Sequence, residues 1–527
     1  MDQDSREIEL KFEVDRAMLD RLKQAAVLKQ WGVGRASTRT LRSVYFDTED
    51  QRLFKAKIVL RVRKVGRRWV QTVKAGTAVS GGLSSPEEFE TPVSGDCPDV
   101  AAIDDQPTRE RLRDLLDGDQ PAALFETVIR RTTRDIETPD GSLIEAAFDS
   151  GEVIHGKTAE PMCEVELELK KGRVKALYDL ARELFEDTPV RFSAMSKSAR
   201  GYQLARSGSG PEAAQPLRAR QPEIDGSMTA ELALRSILRA SLEQIAGNLP
   251  AVLGNDDAEG PHQLRIGLRR LRSALKFFKP LVDGPAARAL NEEARWLGTE
   301  VGSLRDADVL IADIVAPVPV PHGSIDMGLL TERLEKAATR TRLKVRKTLA
   351  TPRISTFLLD LGAFIETRGW IRPEDFGQTA LLGQPVGEFS NAGLDKLWKK
   401  ARKRAGNLAQ MSVEERHELR KLFKTLRYAV EFFSGLHGKE NTKLFLKQLK
   451  RLQNVFGYLN DVALAGRLPD ALRDEAGDGD VQRGIGFVLG WHQARADAAW
   501  ETVGPLWEEA DAAYRVWRKL HHDPTPA

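Results

Sequence analysis

The sequence predicts a two-domain chain, α+β over its first two hundred residues and all-α after a linker, and three observations carry that prediction. Up to about residue 206, short period-two runs such as "EIELKF", "VLRVRKV" and "CEVELELKKG" are separated by Gly, Pro and Asp turn signals. From Ser207 to Gly226, "SGSGPEAAQPLRARQPEIDG" has the texture of an exposed tether. Beyond it nearly every segment carries helical periodicity, and one helical unit occurs twice. The expected divisions are residues 1–206, a linker at 207–227, and a helical domain at 228–520 whose repeats start near 262 and 417.

Composition narrows the class further. With 527 residues, 41% hydrophobic and 30% charged, the chain has ample material for large cores, and a net charge of +3 implies no global attraction to nucleic acid or membrane. Two cysteines, Cys97 and Cys163, make neither a disulfide framework nor a metal-ligand pattern. No basic region followed by an apolar core opens the sequence, and no apolar run approaches the ~18–20 residues of a membrane span. The expectation is a cytoplasmic protein without a membrane partner.

The strands of the first domain share an odd character. In "EIELKF", Ile8, Leu10 and Phe12 point one way while Glu7, Glu9 and Lys11 point the other. Arg61 and Arg63 share a face in "VLRVRKV", Lys74 ends one in "WVQTVKAG", and Glu88 and Glu90 alternate around Phe89. Glu145 and Asp149 flank small Ala147, and "CEVELELK" lines up Glu164, Glu166, Glu168 and Lys170. If these strands form one sheet closed on itself with the charged faces inward, the apolar faces lie outside. The amphipathic stretches "DRAMLDRLKQAAVLKQ" and "VKALYDLARELFED" are then needed to cover them. Acids this close require a cation between them. Magnesium suits the role, since it binds through a few carboxylates, keeps water and completes its shell with phosphate oxygens. No Walker A loop, His/Cys cluster or nucleotide fingerprint competes.

"EIELKF" with "YFDT", "LRVR", "TVK", "EAAFDSG", "EVELELKKG" and "SKSARGY" resembles the CYTH family, the triphosphate tunnel metalloenzymes, over most of residues 5–205. The resemblance implies an antiparallel eight-stranded tunnel barrel that hydrolyses triphosphates with Mg2+ or Mn2+. By motif it implies Glu7, Glu9 and Lys11 as catalytic residues, and Glu7, Glu9, Asp149, Glu164, Glu166 and Glu168 as metal ligands. Arg61, Arg63, Lys74, Arg131, Lys170 and Lys197 would grip phosphate, with Arg131 preferred to Arg130 from its position in "TVIRRTTR". Two departures are visible. Adenylate-cyclase members carry His-Phe-Asp where this chain has Tyr45-Phe46-Asp47, and relatives often place Arg where this chain has Pro86.

In the helical half, "HQLRIGLRRLRSALKFF" starts at His262 and "HELRKLFKTLRYAVEFF" at His417, while "GSLRD" ends at Asp306 and "GYLND" at Asp461. The spacing from His to Asp is 44 residues in both copies, at an offset of 155. Arg265, Arg269 and Arg272 match Arg420, Lys424 and Arg427, so each helix carries a basic stripe roughly 110° from an apolar one. Two such units would present two basic surfaces. Further bases cluster at 340–347, 399–404 and 447–451 without interleaved aromatics, which fits a phosphate chain better than nucleic acid. These repeats resemble the CHAD domain over roughly residues 228–515. That resemblance implies inorganic polyphosphate binding by His262, Arg265, Arg269, Arg272, His417, Arg420, Lys424 and Arg427.

The expected function is metal-dependent hydrolysis of inorganic triphosphate in the first domain, with polyphosphate bound by the second and association with polyphosphate granules as a consequence. The rivals are a polyphosphate-binding sensor without turnover and a triphosphatase for a nucleotide or thiamine.

Overall fold

The computed structural model describes residues 7–522 apart from 77–78, 194, 209–213, 320–324 and 473–478, so part of the expected linker lies outside the described residues. The chain divides into two compact units. One is Met1–Gln215 with Ala350–Gly369, the other Pro216–Leu349 with Trp370–Ala527.

In the first unit, ten strands form one antiparallel sheet: β1 (Ile8–Glu13), β2 (Gly32–Asp47), β3 (Ile58–Val65), β4 (Arg68–Ala75), β5 (Val79–Ser80), β6 (Leu83–Ser84), β7 (Glu87–Val93), β8 (Ala122–Glu137), β9 (Leu143–His155) and β10 (Thr158–Lys171). Their order is β5-β6-β1-β10-β9-β8-β2-β3-β4-β7. The expectation of a closed eight-stranded barrel is therefore corrected. Eight long strands are joined by two of two residues each, and among the described residues the ladder does not close on itself. The sheet nevertheless curls. β6, next to the β5 edge, and β7, at the other edge, are separated only by Ser85 and Pro86, so chain connectivity draws opposite ends of the sheet together. Lys74 on β4 reaches Glu7, just before β1, at 2.8 Å across this seam.

The alternation read from the sequence decides which face lies inside the curl. Leu10, Phe12, Ile144, Ala146, Phe148, Val165 and Leu167 point outward into a core with Leu19 and Leu22 of the Arg16–Leu22 helix. The Val174–Leu184 helix covers the same face with Ala176, Leu177, Leu180, Ala181 and Leu184, a clean i, i+3, i+4 stripe. A second patch, Phe46, Leu53, Ile58, Leu60, Val62, Val73 and Leu112, is packed by the short Arg52–Lys55 helix and the Gln106–Leu116 helix.

The Pro352–Glu366 helix also belongs to this unit, although it lies within the stretch the sequence assigns to the helical domain. Leu359 and Ala363 are buried in the same core as the Val174–Leu184 helix. Gly362 permits that approach, because a Cβ there would stand 2.7 Å from the Tyr178 ring. Burying one leucine this way contributes on the order of 1.5–3 kcal/mol.

The second unit is helical, and it is one compact body rather than two separate repeat bundles. The helices that carry the repeated motif, Glu259–Phe277 and Val413–Phe432, pack against each other. Phe278 and Phe433, equivalent by the offset of 155, lie 6.0 Å apart, with Phe389 stacked on Phe278 at 5.2 Å. Ser412 starts the second of these helices with a reciprocal capping box to Glu415. Within the stretch expected to be an exposed tether, Leu217 is instead docked by two hydrogen bonds to Asn248, each 2.9 Å.

Candidate functional site

The concave face of the curled sheet encloses a cavity of about 550 Å³, and six carboxylates and seven cationic side chains line it. Glu7, Glu9, Lys11, Arg61, Arg63, Lys74, Arg131, Glu166, Glu168, Lys170 and Lys197, all singled out from the sequence, converge there. Asp149 and Glu164 do not line it. Both side chains are essentially inaccessible and stand behind the wall.

At the closed side, Lys197 Nζ lies 2.9 Å from Asp149, 2.8 Å from Glu164 and 2.7 Å from Glu166. Ser196 caps the helix that presents it, accepting from the Ala199 N–H. Arg131 makes two bonds to Asp149, at 2.8 and 2.6 Å, and a third to Glu166. Antiparallel register puts Arg131 opposite Asp149 on β9, whereas its neighbour Arg130 is exposed. Lys11 completes the group, 2.7 Å from Glu166 and 2.8 Å from Glu9. Burial opposes ionisation of Glu166, but Lys11, Lys197 and Arg131 hold it well below the usual carboxylate range. Asp149 is depressed by Lys197 and Arg131 against its own burial. The same acids hold Lys197 and Arg131 firmly charged despite burial.

Across the seam, Lys74 bridges Glu7 and Glu88 at 2.8 and 2.7 Å, and Arg61 bonds Glu88 at 3.1 Å. Burial alone would raise Glu7, yet Lys74 brings it to about 2. Glu9 goes the other way. Burial, with Glu166 and Glu7 nearby, outweighs Lys11 and lifts it to about 7. At the rim, half-exposed Lys170 pairs with Glu168 at 2.5 Å.

This donor set is carboxylate oxygen, the chemistry of Mg2+ or Mn2+. Among the described residues no three acids form a ready cage, because lysine and arginine already engage them. Glu9, set between Glu7 and Glu166 and sharing Lys11 with the latter, is where an added cation gains most. The residues therefore fit a hydrated cation that enters with its anionic ligand better than a permanently caged one.

Tyr45 was missed as a site residue. It faces Arg61 from the adjacent strand and lines the cavity. Burial would raise its phenol, but Arg61, Arg63 and Lys197 lower it. The signal was its period-two position in a motif read only for what it excludes. Asp47 of the same motif is structural, accepting from the Leu53 and Phe54 amides and the Tyr202 hydroxyl at 3.0, 3.0 and 2.7 Å. Pro86 sits at the seam, where it lines the cavity between two strand margins.

In the helical unit the two expected basic surfaces prove to be one. The charges that act most on Lys424 are Arg269, Arg420 and Arg265, and Arg420 in turn faces Arg269 and Arg265, so residues from both copies share a patch. Burial and these three arginines depress Lys424 to about 6. Asp306 pairs with Arg265 at 3.1 Å, and Arg420 bonds Asn460 at 3.2 Å beside Asp461. Half-buried His262 stands near Arg305, Arg269 and Arg265, while its counterpart His417 is exposed. Arg272 and Arg427 have separate partners, Asn291 at 3.3 Å and Glu431 at 3.5 Å.

Comparison with known proteins follows the same division. A CYTH domain model matches residues 5–202 and a CHAD domain model matches residues 236–468. An inorganic triphosphatase of Haemophilus influenzae is 34% identical over 169 residues, 31% of this chain and 46% of that protein. The chain thus spans about half the length of that curated relative. Among solved structures, the CHAD domain from the plant Ricinus communis is 32% identical with a TM-score of 0.49, covering 55% of this chain and 96% of that one. A Hippeastrum adenylyl cyclase candidate described as having a dominant triphosphatase activity matches at 21% identity and a TM-score of 0.26, over 38% of this chain and 96% of that one.

Proposed function

The chain carries a CYTH domain followed by a CHAD domain, and from that premise we propose that its first unit hydrolyses inorganic triphosphate while its helical unit binds inorganic polyphosphate. The observation that carries this reading is the cavity itself: opposite charges in nearly equal number, paired with one another on the inner face of a curled sheet around about 550 Å³. A solvated protein surface has no need of buried acids that each engage a lysine or an arginine.

Lys11, Arg61, Arg63, Lys74, Arg131 and Lys197 supply donors for the oxygens of a phosphate chain, and phosphoryl transfer asks mainly for such positioning and charge neutralisation. Arg61 Nε is buried and has no hydrogen-bond partner among the described residues. Glu7, Glu9, Glu166 and Glu168 are the residues that would hold Mg2+ or Mn2+ in the cavity. A bound divalent cation supplies neutralisation of the phosphate and acidification of an attacking water. Asp149 and Glu164 act from behind, fixing Lys197 and Arg131 in place. Among the described residues Tyr45 is the one aromatic on the cavity wall, so an organic group would have little there to stack on, which favours inorganic triphosphate over a nucleotide or thiamine. In the helical unit, the joint patch of Arg265, Arg269, Arg420 and Lys424 supports polyphosphate binding, since a phosphate chain relieves its crowding of like charge.

Phosphate release from tripolyphosphate, long-chain polyphosphate and ATP, with Mg2+ or Mn2+ and with chelator, tests the reading beside a Glu7→Gln, Glu9→Gln variant. Release from tripolyphosphate that stops in chelator and in the variant is expected. No release from any substrate, with polyphosphate still bound, would make this a binding protein.

A further inference from the structure

The helix Pro352–Glu366 is supplied by sequence that lies inside the CHAD match, yet it forms part of the unit that contains the charged cavity. Its packing against the Val174–Leu184 helix covers apolar surface, but one of its contacts is polar, buried and specific. Ser355 Oγ accepts from the Val190 N–H at 2.7 Å and donates to the Thr188 carbonyl at 3.2 Å. Ser355 is 4% exposed and Thr188 3%, so water does not readily replace either bond.

The segment held in this way leads directly to the cavity wall. Past Val190, the Arg191 carbonyl accepts from the Glu13 N–H at 2.9 Å, and the Ser193 N–H donates to the Lys11 carbonyl at 2.9 Å. Phe192 bridges to Phe12 on β1 and stacks on its ring at 5.5 Å. The Ser193 hydroxyl donates to Glu164 at 3.2 Å. Ser196 then caps the helix whose first residue is Lys197. The described residues 188–193 thus link the Ser355 clamp to the strand that carries Lys11, and 195–197 end at the ammonium that neutralises Asp149, Glu164 and Glu166.

We propose that Ser355 is a positioning residue for the cavity: by clamping the 188–190 turn it sets the placement of Lys197 and Glu164. The proposal rests on the hydrolytic reading above for its kinetic test but not for its structural one. Sequence on both sides of the helix, up to Leu349 and from Trp370, belongs to the helical unit.

The experiment uses the full chain with Ser355→Ala, the hydroxyl-retaining Ser355→Thr, and Asp360→Ala. The last removes the 2.9 Å pair with Arg182 from the same helix without touching the clamp. Amide exchange is followed at Ser193 and Ala199, neither of which Ser355 contacts, beside kcat and KM for tripolyphosphate. Ser355→Ala should speed exchange at both amides and lower kcat/KM roughly tenfold, in line with a misplaced ligand-gripping group. Ser355→Thr should restore both, and Asp360→Ala should change neither. Loss of melting temperature in Ser355→Ala with unchanged exchange at Ser193 and Ala199 would overturn the proposal, leaving the helix as packing alone. Should the wild-type chain release no phosphate, the hydrolytic reading fails by itself, and the exchange comparison still decides for or against the clamp.

Discussion

Replacing Lys197 with methionine keeps the aliphatic stem and removes the charge on which three buried acids depend. Removing one partner of a buried ion pair typically costs 3–5 kcal/mol, because the other is left uncompensated. Here each acid keeps a second partner: Asp149 has Arg131, Glu166 has Lys11 and Arg131, and Glu164 has Arg200 at 3.8 Å and Ser193. The expected loss is therefore at the low end, about 3 kcal/mol at pH 7. Its pH dependence follows from the sign of the shifts. Asp149 and Glu166 are depressed in the folded state, so their contribution is present above the ordinary values of 3.8 and 4.5 and is lost as pH falls through the depressed ones. In the variant that depression is weakened, and the gap between the two proteins should narrow as pH falls below the ordinary values of 3.8 and 4.5. Urea denaturation of both proteins at about pH 7 and about pH 3 measures this. An unchanged midpoint at neutral pH, or a gap as wide at the acid end as at the neutral one, would refute Lys197 as the neutralising cation.

Glu9, raised by burial to about 7, contributes to folding fully below its ordinary 4.5 and loses that contribution as pH rises through 7. Glu9→Gln should therefore melt above the wild type at pH 8, by up to about 3 kcal/mol, and match it below pH 4.5, while phosphate release falls at least about a hundredfold. Lys424, depressed to about 6, has its full contribution above its ordinary 10.5 and loses it as pH falls through 6. Lys424→Met should raise the melting temperature at pH 6–8 by several degrees. Polyphosphate affinity, measured by titration at pH 8 and pH 6, should increase more on acidification in the wild type than in the variant, where His262 and His417 alone still gain charge.

The charged strand faces were legible because side-chain direction alternates strictly, and because Ala147 between two acids marks a face with no room for bulk. Arg131 was preferred to Arg130 from its position in "TVIRRTTR", and its pairing with Asp149 across the ladder is what turns its side chain into the cavity. How the sheet margins meet was not legible, since the seam at Ser85 and Pro86 follows from pairings distant in sequence. Depth was hidden too. Periodicity puts Glu164 and Glu166 on one face, but Lys197, Ser193 and Arg200, supplied from far along the chain, close over Glu164 while Glu166 lines the cavity. The repeat in the helical half announced equivalent residues, yet an offset of 155 cannot say that the two equivalent helices pack on each other and merge their basic stripes. Likewise the apolar stripe of Pro352–Glu366 says that a face is buried without saying in which core.

That interleaving has a consequence for how the chain is made. Synthesis releases the ten strands first, but the helix that completes their outer core follows only after the intervening residues 216–349. At the usual 5–20 residues per second, the sheet waits roughly 7–27 s with Leu177, Leu180 and their neighbours incompletely covered. During that interval the first helices of the other unit, Ala230–Gly254 through Met327–Leu349, have emerged and can begin to fold. Neither half of the molecule is finished on the ribosome before the other has begun, so a break in translation between residues 215 and 350 leaves a nascent sheet with an exposed apolar face, the form most open to chaperones and to aggregation.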